Sequence, residues 1–261
     1  RGTPWMHTIT DAEPHGTQPM SLRDIIVHSS NIGTLLLTDE VGTERFGAYL
    51  ESFGFGQKTA LDFPNESAGL FKPASEWQGT ERQSHSYGYG YSVTALQLAA
   101  AVNTVANGGV YVAPKLVEAV IGADGEVTDT PAAATHQVIQ PATAATMTDM
   151  MKGVVCEGTG KGAQIPGISV AGKTGTAYKV QDDNTYGAAG TRAYRASFVG
   201  YFPADAPRVT ILVTIDEPDP TSNDRFGGKA AAPLFSSIAT AAINELQITP
   251  TPGDTGCTAE G

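Results

Sequence analysis

Lys173-Thr174-Gly175-Thr176 is the stretch of this chain whose residue types offer chemistry most directly. It lies within residues 170–177, a run that reads as a strand with no bulky side chain in its middle. Gly172 and Gly175 leave that strand open, which in a sheet usually marks close approach by a ligand or another backbone. Lys173 sets a cation beside the hydroxyls of Thr174 and Thr176, and charge-assisted hydrogen bonds from such a set suit a carboxylate. The expected ligand is therefore an extended, anionic, peptide-like molecule laid along a strand edge. Ser29-x-Asn31 is the second candidate. Acyl transfer through a covalent ester needs an activated hydroxyl and a proton carrier, residue types that a serine and a lysine supply. The Asn31 amide donates and accepts at once, which suits it to orienting a peptide backbone. Both residues are also good helix caps, so the pair acquires chemical meaning only in the company of Lys173.

The whole chain narrows the setting. With 261 residues, 41% of them hydrophobic, it can bury one sizeable core or two small ones. A formal net charge of −11 argues against a nucleic-acid partner, which calls for a basic face. No apolar run reaches the roughly 18 residues that mark a membrane span. The first residues carry no apolar signal core and no initiator methionine. Cys156 and Cys257 are the only cysteines; two thiols make no disulfide framework and one falls in a tail, so their pairing is not expected. The histidines are not spaced as metal ligands, and residues 158–162 lack the spacing of a phosphate loop, so neither metal nor cofactor is expected.

The elements that must position the site are legible from periodicity. Ser21, with Asp24 three residues on, caps a helix over 22–29 that turns Ile25 and Ile26 inward. A second helix follows Asn31, and Thr43 is expected to cap a third bearing Phe46, Tyr49, Leu50 and Phe53. Residues 61–90 read as a long loop, functional or packed as a lid. Ser92 then caps a helix carrying Val93, Leu96 and Val105, closed by Gly108-Gly109. A hairpin is expected around Asp124-Gly125, a linker over 131–135, and a helix over 142–155 with Met147, Met150, Met151 and Val154 buried. Residues 196–202 and 208–215 alternate as antiparallel strands, and Pro233 opens a final amphipathic helix. The fold class is α/β in the α+β sense, a helical lobe against part of an antiparallel sheet. The domain is expected over 1–248, with a disordered tail over 249–261.

Ser29-x-Asn31 and Lys173-Thr174-Gly175-Thr176 resemble two of the three motifs of serine penicillin-recognising enzymes. Their surroundings resemble the class B penicillin-binding proteins. Glu157-Gly158-Thr159-Gly160, Phe53-Gly54-Phe55-Gly56, Leu61-Asp62-Phe63-Pro64, Tyr87-Gly88-Tyr89-Gly90 and Ser197-Phe198-Val199-Gly200-Tyr201 all stand in the family's order. The resemblance implies the transpeptidase fold shared with serine β-lactamases, and a D,D-transpeptidase that cross-links peptidoglycan stem peptides outside the cytoplasmic membrane. It implies catalytic roles for Ser29, Asn31 and Lys173, and substrate binding at Thr174, Gly175 and Thr176, with the Thr176 N–H in the oxyanion hole. β-Lactam antibiotics, a membrane glycosyltransferase and division or elongation proteins are the implied partners, with the division-type enzymes the nearer pattern.

The family's third motif, Ser-x-x-Lys, is nowhere in the sequence: no serine is followed by lysine at that spacing. In the family that motif precedes Ser-x-Asn, so the expectation is a chain lacking its N-terminal strands and nucleophile helix, inactive by itself. Two alternatives share the motifs. One is a β-lactamase or D,D-carboxypeptidase with water as acceptor, for which no general-base glutamate stands out, Glu66 and Glu76 being the two left open. The other is a non-catalytic sensor domain.

Overall fold

The structure is a computed structural model that describes residues 8–12, 15–61, 63–182, 185–187 and 192–257. Asp62, parts of the lead-in over 1–19 and of the polar loop over 179–194, and the last four residues of the tail lie outside the described residues. In chain order the elements are α1 (Leu22–His28), α2 (Asn31–Val41), α3 (Thr43–Ser52), α4 (Glu81–Ser86), α5 (Ala95–Ala106), β1 (Val110–Val112), β2 (Ala119–Ile121), β3 (Val127–Asp129), β4 (Thr135–Gln137), α6 (Pro141–Cys156), β5 (Ala171–Tyr178), β6 (Tyr194–Phe202), β7 (Val209–Asp216) and α7 (Gly227–Glu245).

The organising layer is the antiparallel sheet β5-β6-β7. Strand alternation gives it two apolar faces. Phe198, Phe202 and Val213 point to one face and pack against Ala231, Ala232, Phe235 and Ala239 of α7. Phe198 and Phe202 meet Phe235 edge-on, and each such buried ring contributes about 2–3 kcal/mol. Tyr201 points to the other face, where it packs with Ala171 and with Met147 and Met151 of α6, its hydroxyl bonded to Thr148 at 2.7 Å. Consequently Lys173, paired with Val199, faces the helical lobe, whereas Thr174, paired with Phe198, faces the α7 side.

Several local expectations need correction. Thr43 is the first residue of α3; Gly42 precedes it as the cap and offers no side-chain bond. Thr94, not Ser92, caps α5, in a reciprocal box with Gln97, because the Ser92 backbone is already paired with Leu70. Pro233 lies inside α7, which begins at Gly227; the ring sacrifices one intrahelical bond while the rest of the helix holds. β2 and β3 form the expected hairpin, but Tyr111 pairs with His136 of β4, so the presumed linker ends in a strand. The 61–90 segment contains α4 and a 3-10 turn at Ala74–Glu76, and it packs Trp77 on His85 at 4.4 Å.

The two largest corrections concern the C-terminus. Cys156 and Cys257 are joined by a disulfide across 101 residues. Residues 249–257 are fastened accordingly: Ile248 is buried, and Asp254 accepts from the Ser169 N–H at 2.9 Å and from its hydroxyl at 2.8 Å. Sequence spacing gave no warning, since only the return of the chain past α7 brings the tail to the end of α6.

Candidate active site

The site forms where the C-terminal ends of α1 and α6 meet the edge strand β5. Ser21 and Asp24 form the expected capping box, so α1 starts on a fixed register. It ends at Ser29, which adopts a left-handed backbone, φ 59°, at a cost of about 1 kcal/mol for a residue with a β-carbon. Ser30 then caps α2, accepting from the Gly33 N–H at 2.9 Å. Asp11 secures the turn by accepting from the Ser30 hydroxyl at 2.7 Å and the Ile32 N–H at 3.0 Å. Burial acts to raise the Asp11 carboxyl, but these bonds and one from His15 outweigh it and hold it below the usual range.

Lys173 reaches this turn from β5. Its Nζ donates to Ser29 Oγ at 2.7 Å and to the Thr174 carbonyl at 3.2 Å, and it makes no ion pair among the described residues. Burial pushes its pKa down to about 8, because a cation removed from water is disfavoured. The outcome is a cation with no anionic partner among the described residues, bonded to a hydroxyl: a pair able both to hold an incoming carboxylate and to relay a proton.

Ser29 and Lys173 are therefore brought together as the sequence suggests. Asn31 is not brought onto Lys173; as the first residue of α2 it donates its amide to the Thr10 carbonyl at 2.9 Å. Thr174, Gly175 and Thr176 lie along β5, which has a strand partner on only one side among the described residues. The glycines have a different reason from the one expected. A β-carbon at Gly172 would collide with the Phe198 ring, and one at Gly175 with the Ser197 hydroxyl, so the protein's own side chains fill those spaces.

Three contributors are not apparent from residue chemistry alone. Thr159 Oγ1 bonds Thr174 Oγ1 at 2.7 Å, and its N–H reaches the Val27 carbonyl, two residues before Ser29. Thr159 thus ties both halves of the site together. Gly158 permits this, since a β-carbon there would strike the Val27 carbonyl. The Gly227 N–H donates to Thr176 Oγ1 at 3.0 Å, and the Tyr89 hydroxyl accepts from the Tyr178 N–H at 3.1 Å, closing the far end of β5. Glu157-Gly158-Thr159-Gly160 and Tyr87-Gly88-Tyr89-Gly90 mark two of these in sequence, but only as family signatures.

A lysine on an edge strand, bonded to the serine of Ser-x-Asn, is the arrangement that the motifs anticipate. The family model described as penicillin binding protein transpeptidase domain matches residues 2–240. The chain belongs to this family. It is 38% identical to penicillin-binding protein PbpB of Mycolicibacterium smegmatis over 255 residues, 94% of this chain and 39% of that protein. It is 31% identical to the probable peptidoglycan D,D-transpeptidase PenA of Neisseria meningitidis, over 92% of this chain and 39% of that protein. Penicillin binding protein 3 of Mycobacterium tuberculosis, in complex with aztreonam, superposes with a TM-score of 0.84 at 35% identity, covering 95% of this chain and 56% of that one. The chain thus spans about two-fifths of the length of the curated relatives it matches. The transpeptidase fold expected from the motifs is the fold observed.

Thr159 supplies a first test of this geometry. Thr159→Val keeps its shape but removes the bond to Thr174. Acylation by benzylpenicillin of the longest product of the source gene should fall about fivefold, as for loss of one hydrogen bond worth about 1 kcal/mol. An unchanged rate would mean that the Thr159–Thr174 bond does not position β5.

Proposed function

We propose that this chain is part of a division-type class B peptidoglycan D,D-transpeptidase, acting through a serine acyl-enzyme. The observation that carries the proposal is the 2.7 Å bond between Lys173 Nζ and Ser29 Oγ beside an edge of β5 that has no strand partner among the described residues. The name of the Neisseria relative and the β-lactam complexes of the Mycobacterium tuberculosis structure point the same way.

In this reading a stem peptide ending in D-Ala-D-Ala lies along β5 as an added strand, with main-chain bonds supplying affinity. Lys173 attracts its terminal carboxylate, which Thr174 and Thr176 bind. Asn31 orients the substrate backbone, while Gly175 lets β5 lie close against Ser197 of β6. A serine from a Ser-x-x-Lys motif, supplied by residues outside this sequence, attacks the penultimate carbonyl as its hydroxyl proton passes to the lysine of that motif. The Thr176 N–H stabilises the resulting oxyanion. The C–N bond breaks as Ser29 hands its proton to the leaving amine and is reprotonated through Lys173, and an amine from a neighbouring peptide then resolves the ester. Lys173 suits the relay because a pKa of about 8 leaves it ready to give up a proton near neutral pH. The extracytoplasmic face of the membrane is the proposed location; a disulfide persists in such oxidising surroundings. A membrane glycosyltransferase and division proteins are the proposed partners.

Intact mass after benzylpenicillin tests the proposal. The longest product of the source gene should gain one stable adduct, and the 261-residue chain should gain none. An adduct on the short chain would show that its nucleophile is among these residues. No adduct on the long form, with the drug unhydrolysed, would favour a non-catalytic binding domain, and rapid hydrolysis would favour a β-lactamase.

A further inference from the structure

At the far end of the β5–β6 hairpin the cations fall into two kinds. Lys179 and Arg195 are matched by Asp216, and Lys179 also by Glu217. Arg192 and Arg225 form no ion pair among the described residues. Each lies instead over an aromatic ring: Arg192 is 4.4 Å above the centre of Tyr178, and Arg225 is 5.5 Å above Tyr194 and 4.6 Å above Phe226. Tyr178 and Tyr194 are cross-strand partners with rings 5.3 Å apart, so the two guanidiniums bracket one aromatic pair.

That pair belongs to the substrate edge. Tyr178 follows Thr174 and Thr176 at alternate positions and so shares their face of the strand. Arg225 is held there as well, since two residues later the Gly227 N–H bonds Thr176 Oγ1 at 3.0 Å. Neither guanidinium is used up. Arg225 donates one bond to the Ser222 carbonyl at 2.8 Å, and its Nε is buried with no partner. Arg192 donates from Nε to the Gly187 carbonyl at 3.2 Å. A guanidinium has five N–H donors in a fixed fork that fits a planar carboxylate, and resting on a ring pre-orders it without consuming those donors. In a chain of net charge −11, two guanidiniums unmatched among the described residues at one end of the edge make a local anion trap.

We propose that Arg192 and Arg225 form a carboxylate subsite that takes an acidic side chain of the donor peptide while its terminal carboxylate rests at Thr174 and Thr176. The subsite rests on the transpeptidase reading above. Thr176 and Tyr178 are about 7 Å apart along an extended strand, which is the spacing of alternate residues in a bound peptide. The acidic residue is therefore one lying roughly two positions before the C-terminus. The ligand class is a peptide ending in D-Ala-D-Ala that carries a carboxylate, rather than a carboxamide, at that position.

The test uses the longest product of the source gene with Arg192→Gln, Arg225→Gln and the double substitution. Two synthetic donors ending in D-Ala-D-Ala, differing only in carboxylate against carboxamide at that side chain, are compared by kcat/KM. Stoichiometric labelling by benzylpenicillin, read by intact mass, reports that each variant is folded. Wild type should favour the carboxylate donor, and the double variant should lower the carboxylate-to-carboxamide ratio about tenfold. The preference should shrink at about 0.5 M salt, as screening requires. A wild-type ratio near one, or equal losses on both donors, would overturn the subsite while leaving the transpeptidase reading intact. If wild type is acylated by neither donor nor benzylpenicillin, the transpeptidase reading itself fails and the subsite goes with it.

Discussion

Lys173→Met should lower the rate at which benzylpenicillin acylates the longest gene product by about a thousandfold, the upper end for losing one preorganised donor at a reacting centre. Methionine keeps much of the length of the side chain and its apolar stem, so the packing between β5 and the helical lobe survives. What disappears is the cation proposed to draw in the carboxylate and the Nζ that bonds Ser29 at 2.7 Å. The substitution should not lower the melting temperature. Burial disfavours the charged lysine, and removing it relieves that cost. A large loss of acylation at undiminished stability separates a chemical role from a structural one. Equal losses of both would assign Lys173 to folding alone.

The same lysine fixes the sign of the pH dependence. Its folded value of about 8 lies below the ordinary 10.5. The cation proposed to receive a carboxylate is therefore present below pH 8 and lost as pH rises through that value, so acylation should decline on the alkaline side with an apparent pKa near 8. Stability moves the opposite way. The unfolded chain keeps the proton up to about 10.5, so the cost of burying the charge is fully present below pH 8 and fades as pH approaches 10.5.

How much of this was legible beforehand follows from the kind of physics at each position. The capping box at Ser21 and Asp24 and the alternation of Val209, Ile211 and Val213 depend on neighbours a few residues away, and both stand as expected. Ser29 and Lys173 could be paired only through the family motifs, because 144 residues separate them and no local rule spans that distance. Thr159, Tyr89 and Asp11 were opaque for a related reason: each acts by a hydrogen bond to a remote element, and threonine, tyrosine and aspartate are common in ordinary loops. Gly172 was legible as important but misleading as to cause. A missing β-carbon announces close approach without saying whether a ligand or Phe198 makes it.

The tail was the plainest failure, and it leads to the second large effect. Replacing both Cys156 and Cys257 by serine should destabilise the folded domain by about 3–5 kcal/mol, because the link closes 101 residues of chain and a loop of that length removes about 4.7 kcal/mol of unfolded-state entropy. Cys257 also packs against the cluster built on Phe202, Val213 and Phe235, so serine there exposes a polar atom to an apolar surface. The strap is not released entirely, since Asp254 still accepts from Ser169. Burial would raise that carboxyl, yet the Ser169 and Gly256 bonds hold it below the usual range. Its contribution is therefore present at neutral pH and lost as pH falls through the lowered value, so the serine variant should be the more acid-sensitive protein. Urea unfolding of the longest gene product, with and without a phosphine reductant, measures the effect. Reduction should lower the midpoint of the wild type, and the double variant should fall somewhat further because of the polar atom at position 257. Acylation at low temperature should be affected far less than by Lys173→Met, because the disulfide holds the end of α6 from behind while Thr159 still ties its following loop to Thr174 and Val27. Unchanged midpoints on reduction would mean that Asp254, Ile248 and the packing around them fasten the tail without the covalent link.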